Sequence, residues 1–129
     1  MKALLDTNVL VRFLVGDNLP QQKRAEQWLK EAAEGKRAVI VPVIVIAETC
    51  FVLESFYKRP RGDIADALEV FLAERWLHSE ERDILLGIWP WYRRNFHFVD
   101  SFLLAKARAE NAEILTFDKK LRRQSKTRG

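Results

Sequence analysis

The chain has 129 residues, of which 48% are hydrophobic, 31% charged and 11% aromatic, with a formal net charge of +4. That balance describes a single globular domain over residues 1–129 with a core of its own, and excludes a fibrous or disordered chain. No apolar run reaches the ~20 residues of a membrane span, and the one cysteine, Cys50, excludes an internal disulfide.

The first residues lead straight into an acidic motif without a cleavable spacer, so no signal peptide is expected and a reducing cytoplasm is the expected compartment. Lys2–Leu5 reads as a short buried strand closed by Asp6, and Asn8–Val15 as a helix with Leu10, Phe13 and Leu14 inward. Pro20 suits the first turn of a second helix, whose Ala25, Trp28, Leu29, Ala32 and Ala33 recur at core spacing until Gly35. Ala38–Val41 is β-branched and reads as a strand. The long apolar run from Val43 to Tyr57 exceeds one strand and reads as a buried helix carrying Glu48, with Cys50 as a small core residue.

A basic turn, Lys58–Gly62, precedes a helix capped by Asp63, with Ile64, Leu68, Phe71 and Leu72 on one face. Trp76–His78 is expected to be a strand, and Ser79 to cap a helix that Pro90 breaks. Trp89, Trp91 and Tyr92 suit a core or a dimer interface better than a base-stacking platform. Asp100 stands at the start of a helix reaching about Glu110, and Glu113–Phe117 reads as a last strand ending at Asp118. Strands alternating with helices imply an α/β fold with a mainly parallel sheet, whose site lies beyond the carboxyl ends of the strands.

Four acids stand in apolar surroundings: Asp6, Glu48, Asp100 and Asp118. A carboxylate buried among such neighbours is costly unless a cation or donor meets it. Four of them in one short chain point to a shared divalent cation, because clustered carboxylates otherwise repel. Hard oxygen ligands select Mg²⁺ or Mn²⁺, and no Cys/His cluster is present for zinc. His78 and His97 are isolated and read as surface or packing residues. Such a cation acidifies a bound water and neutralises phosphate charge, so the natural reaction is metal-assisted phosphodiester hydrolysis. Thr7, Asn8, Ser101 and Thr116 flank the acids, to orient them or to cap helices.

Basic residues Lys119, Lys120, Arg122, Arg123, Lys126 and Arg128 crowd the C-terminus. Residues 122–129 read as a basic tail, either solvated or touching nucleic acid.

Read in order, Asp6-Thr7-Asn8-Val9-Leu10-Val11-Arg12-Phe13-Leu14, Pro42 with Ile46-Ala47-Glu48, Phe98-Val99-Asp100-Ser101 and Thr116-Phe117-Asp118-Lys119-Lys120-Leu121 resemble the PIN-domain ribonucleases. Among these the chain is most similar to the VapC toxins of toxin–antitoxin pairs. The resemblance implies a three-layer α/β/α sandwich with a mainly parallel central sheet, and a homodimer. It implies a Mg²⁺-dependent endoribonuclease (Mn²⁺ substituting) acting on structured RNA, tRNA or rRNA, silenced by a VapB-like antitoxin. It assigns Asp6 and Asp100 to direct metal binding, Glu48 to completing the site and Asp118 to a fourth place. Arg12, Lys119, Lys120, Arg122 and Arg123 are the RNA-contacting candidates.

Two departures stand out. His97 and Ser101 replace an acid and an alanine that relatives carry beside the third acid. Asn111 replaces a glycine before the last strand, and is expected to take the turn because asparagine tolerates positive φ.

Three other readings compete: a housekeeping PIN nuclease without an antitoxin, a catalytically silent binding module, and phosphotransfer through Asp6 as in haloacid-dehalogenase-like phosphatases. The last wants a second acid where Asn8 stands. The second leaves four costly carboxylates without a purpose.

Overall fold

Lys2–Leu4 (β1), Ala38–Ile40 (β2) and Leu77–His78 (β3) pair in the order β1-β2-β3, both neighbours parallel. The structure is a computed structural model and describes residues 1–126. The register sets Lys2 against Ala38 and Leu4 against Ile40, then Val39 against Leu77. Parallel neighbours need crossovers, and two pairs of helices supply them. Helices α1 (Thr7–Val15) and α2 (Leu19–Ala33) join β1 to β2, and α3 (Val43–Ser55) and α4 (Arg61–Leu72) join β2 to β3. Four further helices follow: α5 (Arg82–Leu86), α6 (Trp89–Arg93), α7 (Phe98–Glu110) and α8 (Lys119–Ser125). Among the described residues no helix is long and apolar enough to cross a membrane.

Local chemistry explains most boundaries. Gly16 takes φ +74° and its N–H returns to the Arg12 carbonyl, closing α1. The Asn18 side chain accepts the Gln21 N–H and Pro20 occupies the first turn of α2. Asn111, in left-handed geometry at φ 52°, ends α7 as expected from its tolerance of that region. Gly87 ends α5, and Pro90 lies in the first turn of a new helix, where its missing N–H costs nothing.

The core runs from α1 through α3 and α4 to α6. Leu10, Ile46, Ala65, Leu68, Trp89 and Tyr92 are fully enclosed. Trp89 meets Tyr92 edge-on at 5.5 Å, and Trp91 is buried beneath the Arg108 guanidinium at 4.9 Å. The aromatic cluster is therefore core. Cys50 is also core, and burial pushes its thiol up to about 12, which removes it as a nucleophile.

Several expectations are corrected. β1 is an edge strand with Leu4 largely exposed, and only Leu5 beyond it is buried. Trp28 is half-buried, with Arg24 over its ring at 5.1 Å. Asp63 lies within the first turn of α4, which Pro60 caps. Ser79 caps nothing: its Oγ is buried without a partner, and α5 starts only at Arg82. The Arg82 guanidinium instead donates to the carbonyls of Leu72, Glu74 and Leu77, tying the end of α4 to β3. Glu113–Phe117 forms no strand, and Leu115 and Phe117 lie open to solvent. The expected tail is helical through Ser125, anchored by buried Leu121, and residues 127–129 of that tail lie outside the described residues.

Candidate active site

Asp6 follows β1 at the point where the backbone leaves the sheet. The ladder ends with the Leu5 N–H on the Ile40 carbonyl at 2.9 Å. Asp6 then takes an extended conformation and caps α1 through its carbonyl, which accepts from Val9 and Leu10 at 3.1 and 3.2 Å. Its carboxylate makes no capping bond and is exposed, so it is available beside the positive end of the helix. Buried Thr7, Leu10 and Val11 hold that helix end in the core.

Pro42 repeats the arrangement after β2, its carbonyl accepting from Val45 at 3.0 Å. Glu48 follows in the second turn of α3 and is exposed. Its helix buries the opposite face through Ile46, Thr49, Cys50 and Leu53, with the Thr49 hydroxyl donating to the Val45 carbonyl at 2.7 Å. Spacing of three and four residues sets Glu48 on one exposed stripe with Ile44 and Phe51.

Asp100 occupies the first turn of α7 and is half-buried. The His97 carbonyl caps this helix, accepting both the Ser101 N–H and the Ser101 hydroxyl at 2.9 Å. Ser101, expected as a cap, thus serves inside the helix and is fully buried. Asp118 caps α8: its carboxylate accepts the Leu121 N–H at 2.9 Å, while its own N–H donates to the Thr116 hydroxyl at 3.0 Å.

Helix α1 packs on α3, α3 on α7, and α7 on α8, so the four acids ride on a connected set of elements. Their donor chemistry, carboxylate oxygens only, matches Mg²⁺ or Mn²⁺. Their grouping does not match: among the described residues no three Asp, Glu, His or Cys side chains come together to hold one ion. The expected burial is corrected too, because Asp6, Glu48 and Asp118 are exposed.

The basic candidates are differently placed. Arg12 donates to both Asp17 oxygens at 2.9 and 3.0 Å and to Tyr57 at 3.2 Å, and Tyr57 donates to Asp17 at 2.8 Å. Asp17 is held below the ordinary carboxylate range, first by the Tyr57 hydroxyl and then by Arg12. This triad closes the loop after α1, a structural duty beside the RNA contact expected of Arg12. Gly16, which turns the chain back toward α1, was the signal available for it. Lys120 sits over the Phe96 ring at 4.3 Å, and Arg122 donates to the Thr116 carbonyl at 2.7 Å. Lys119 and Arg123 are exposed. Asn8 is exposed too, beside Arg12, Arg24 and Trp28 on a shallow hollow of about 170 Å³.

A profile of the family described as PIN domain matches residues 3–126. A VapC ribonuclease of Aquifex aeolicus (strain VF5) is 29% identical over 122 residues, covering 93% of this chain and 90% of that protein. No solved structure matches at a significant level.

Proposed function

Since the chain belongs to the PIN domain family, we propose that it is a VapC-type toxin, a metal-dependent endoribonuclease that hydrolyses phosphodiester bonds in tRNA or rRNA. The observation that carries this reading is a family match spanning residues 3–126, which takes in Asp6, Glu48, Asp100 and Asp118. A ribonuclease relative aligned over most of both chains supports it.

In this proposal Asp6, Glu48, Asp100 and Asp118 are the catalytic and metal-holding acids, with Mg²⁺ resident and Mn²⁺ able to replace it. When bound, the cation supplies Lewis-acid chemistry at phosphate. Thr7 and Ser101 fix the helix ends that present Asp6 and Asp100, and Asn8 and Thr116 orient neighbouring groups. Lys119, Lys120, Arg122 and Arg123, together with Arg12, supply positive charge to RNA.

A VapB-like antitoxin and a second copy of the chain are the proposed partners, in the cytoplasm. Exposed Ile44, Phe51 and Phe56 at α3, with Val99 and Leu103 on α7, support the homodimer, because a soluble monomer rarely displays so many large apolar side chains on adjoining helices.

The test is cleavage of total RNA by purified protein in Mg²⁺ or Mn²⁺ against EDTA, with Asp6→Asn alongside. Discrete metal-dependent fragments, lost in a variant that keeps its fold, are expected. Equal cleavage by Asp6→Asn sinks the four-acid site, and no cleavage by folded wild type sinks the nuclease.

A further inference from the structure

We propose that Trp28 and the hollow beside β1 form a subsite for one unpaired RNA base, stacked on the indole next to Asp6. The inference rests on the ribonuclease reading and says what that substrate must present, a base free of its own stack.

Two hollows adjoin at this place. The larger, of about 250 Å³, is lined by Leu4, Leu5 and Asp6 from β1 and its end, by Trp28 and Leu29 from α2, and by Val39 from β2. The smaller, of about 170 Å³, is lined by Asn8 and Arg12 from α1 and by Gln21 and Arg24 from α2. Trp28 and Val9 line both, so the indole stands between them. Leu5, Leu29 and Val39 are buried and fill the floor of the larger hollow. Leu4 is 73% exposed and β1 is a sheet edge, so that hollow stays open to solvent. Its size admits one ring system, whereas pockets for drug-sized molecules enclose about 300–1,000 Å³.

Charge selects the occupant. Three arginines, Arg12, Arg24 and Arg37, line the two hollows against a single acid, Asp6. Arg12 is taken up by Asp17 and Arg37 by Glu31, each at 2.9 Å. Arg24 forms no ion pair among the described residues, and its guanidinium lies 5.1 Å from the centre of the Trp28 ring. An aromatic platform with a cation over it suits single-stranded nucleic acid: the ring stacks a base of any identity, and the cation meets the phosphate. An apolar peptide side chain fills the same hollow but leaves Arg24 without a partner, so the base is the better occupant.

Position ties the subsite to the proposed chemistry. Asp6 belongs to the wall of the larger hollow, so the occupant touches an acid to which the proposed function gives the metal. A base seated there cannot at the same time stack within a helix. The RNA therefore offers a loop, a bulge or an extruded nucleotide at that position, and unstacking costs least where the base is already unpaired. The subsite then selects where the RNA is cut.

The probe is a fluorescein-labelled RNA stem with one bulged adenosine, beside a twin whose bulge is abasic. Both are mixed with wild-type protein in EDTA, and binding is read by anisotropy. The base-bearing stem should bind about tenfold more tightly than the twin. Trp28→Ala should weaken the base-bearing stem about tenfold and leave the twin unchanged, which is the coupling that a base on the indole requires. Trp28→Phe should keep most of the affinity yet abolish the quenching of tryptophan emission by the bulged adenosine. Arg24→Ala should weaken both RNAs alike and lessen the salt dependence by about one phosphate contact. Each variant should retain wild-type circular dichroism. Equal binding of the two stems, an equal loss of both in Trp28→Ala, or no binding at about 100 µM overturns the proposal. Binding of a leucine-bearing peptide that Trp28→Ala abolishes assigns the hollow to a protein segment and overturns it too. Absence of metal-dependent cleavage with base dependence intact sinks the nuclease reading, whereas cleavage without base dependence sinks only the subsite.

Discussion

Arg61 tests how the helix bearing Asp100 is held. Its side chain is 17% exposed and pairs with Glu54 at 3.3 Å. It donates to the Tyr92 carbonyl at 2.9 Å and to the Phe96 carbonyl, and its guanidinium lies 4.4 Å from the Tyr92 ring centre. The Tyr92 hydroxyl closes the network on Glu54 at 2.5 Å. Phe96 directly precedes His97, whose carbonyl starts α7. Replacing Arg61 by leucine strands two carbonyls and removes the partner of Glu54, while the leucine restores part of the packing. Hydrogen bonds from charged donors are worth about 1.5–3 kcal/mol each. Glu54 can turn partly to water, so the low end applies, and the sum is about 3 kcal/mol. For a chain of this size that lowers Tm by about 10 °C. Urea unfolding followed by tryptophan fluorescence should show the lower midpoint with an unchanged slope. Arg61→Lys should recover only part of the loss, because an ammonium cannot fork to both carbonyls and stack on the ring. A loss below about 1 kcal/mol for Arg61→Leu, or full recovery by lysine, refutes the network as the clamp on α7.

Cys50 carries a pH dependence: its thiol rises from an ordinary 9.0 to about 12. The associated stability is complete below pH 9 and declines as pH climbs toward 12, since the unfolded chain releases its proton first. Cys50→Ala should lessen that alkaline loss in urea titrations, and native protein at pH 8 should resist thiol reagents until unfolded. Asn111→Ala should cost about 1 kcal/mol because alanine resists left-handed geometry, whereas Asn111→Gly should be close to neutral, both read from thermal melts. Millimolar Mg²⁺ or Mn²⁺ should raise Tm if the four acids gather around an ion, because the ion then binds only the folded chain. Loss of that increment in Asp100→Asn, with wild-type Tm in EDTA, is the matching control.

The sequence by itself determined the elements whose causes are local. Apolar spacing placed α1, α2, α3 and α7, Pro20 marked a first turn, Pro90 marked an interruption between helices, and Asn111 supplied the left-handed residue ending α7. It also singled out the four acids as candidates, since a motif is a property of neighbours along the chain, and the family match spans the positions 3–126 on which they lie. What the tertiary structure alone decided depends on residues far apart. Tyr57 reaches Asp17 across 40 positions and Arg61 reaches Phe96 across 35, and no periodicity announces either pairing. The same holds for exposure. Apolar neighbours in sequence made the acids look buried, yet a helix turns residues one and two apart to different sides. Glu48 therefore faces outward while Ile46 and Thr49 face in. Glu113–Phe117 has the composition of a strand, but a strand exists only where a neighbour's backbone meets it, and only the folded chain could show that none does.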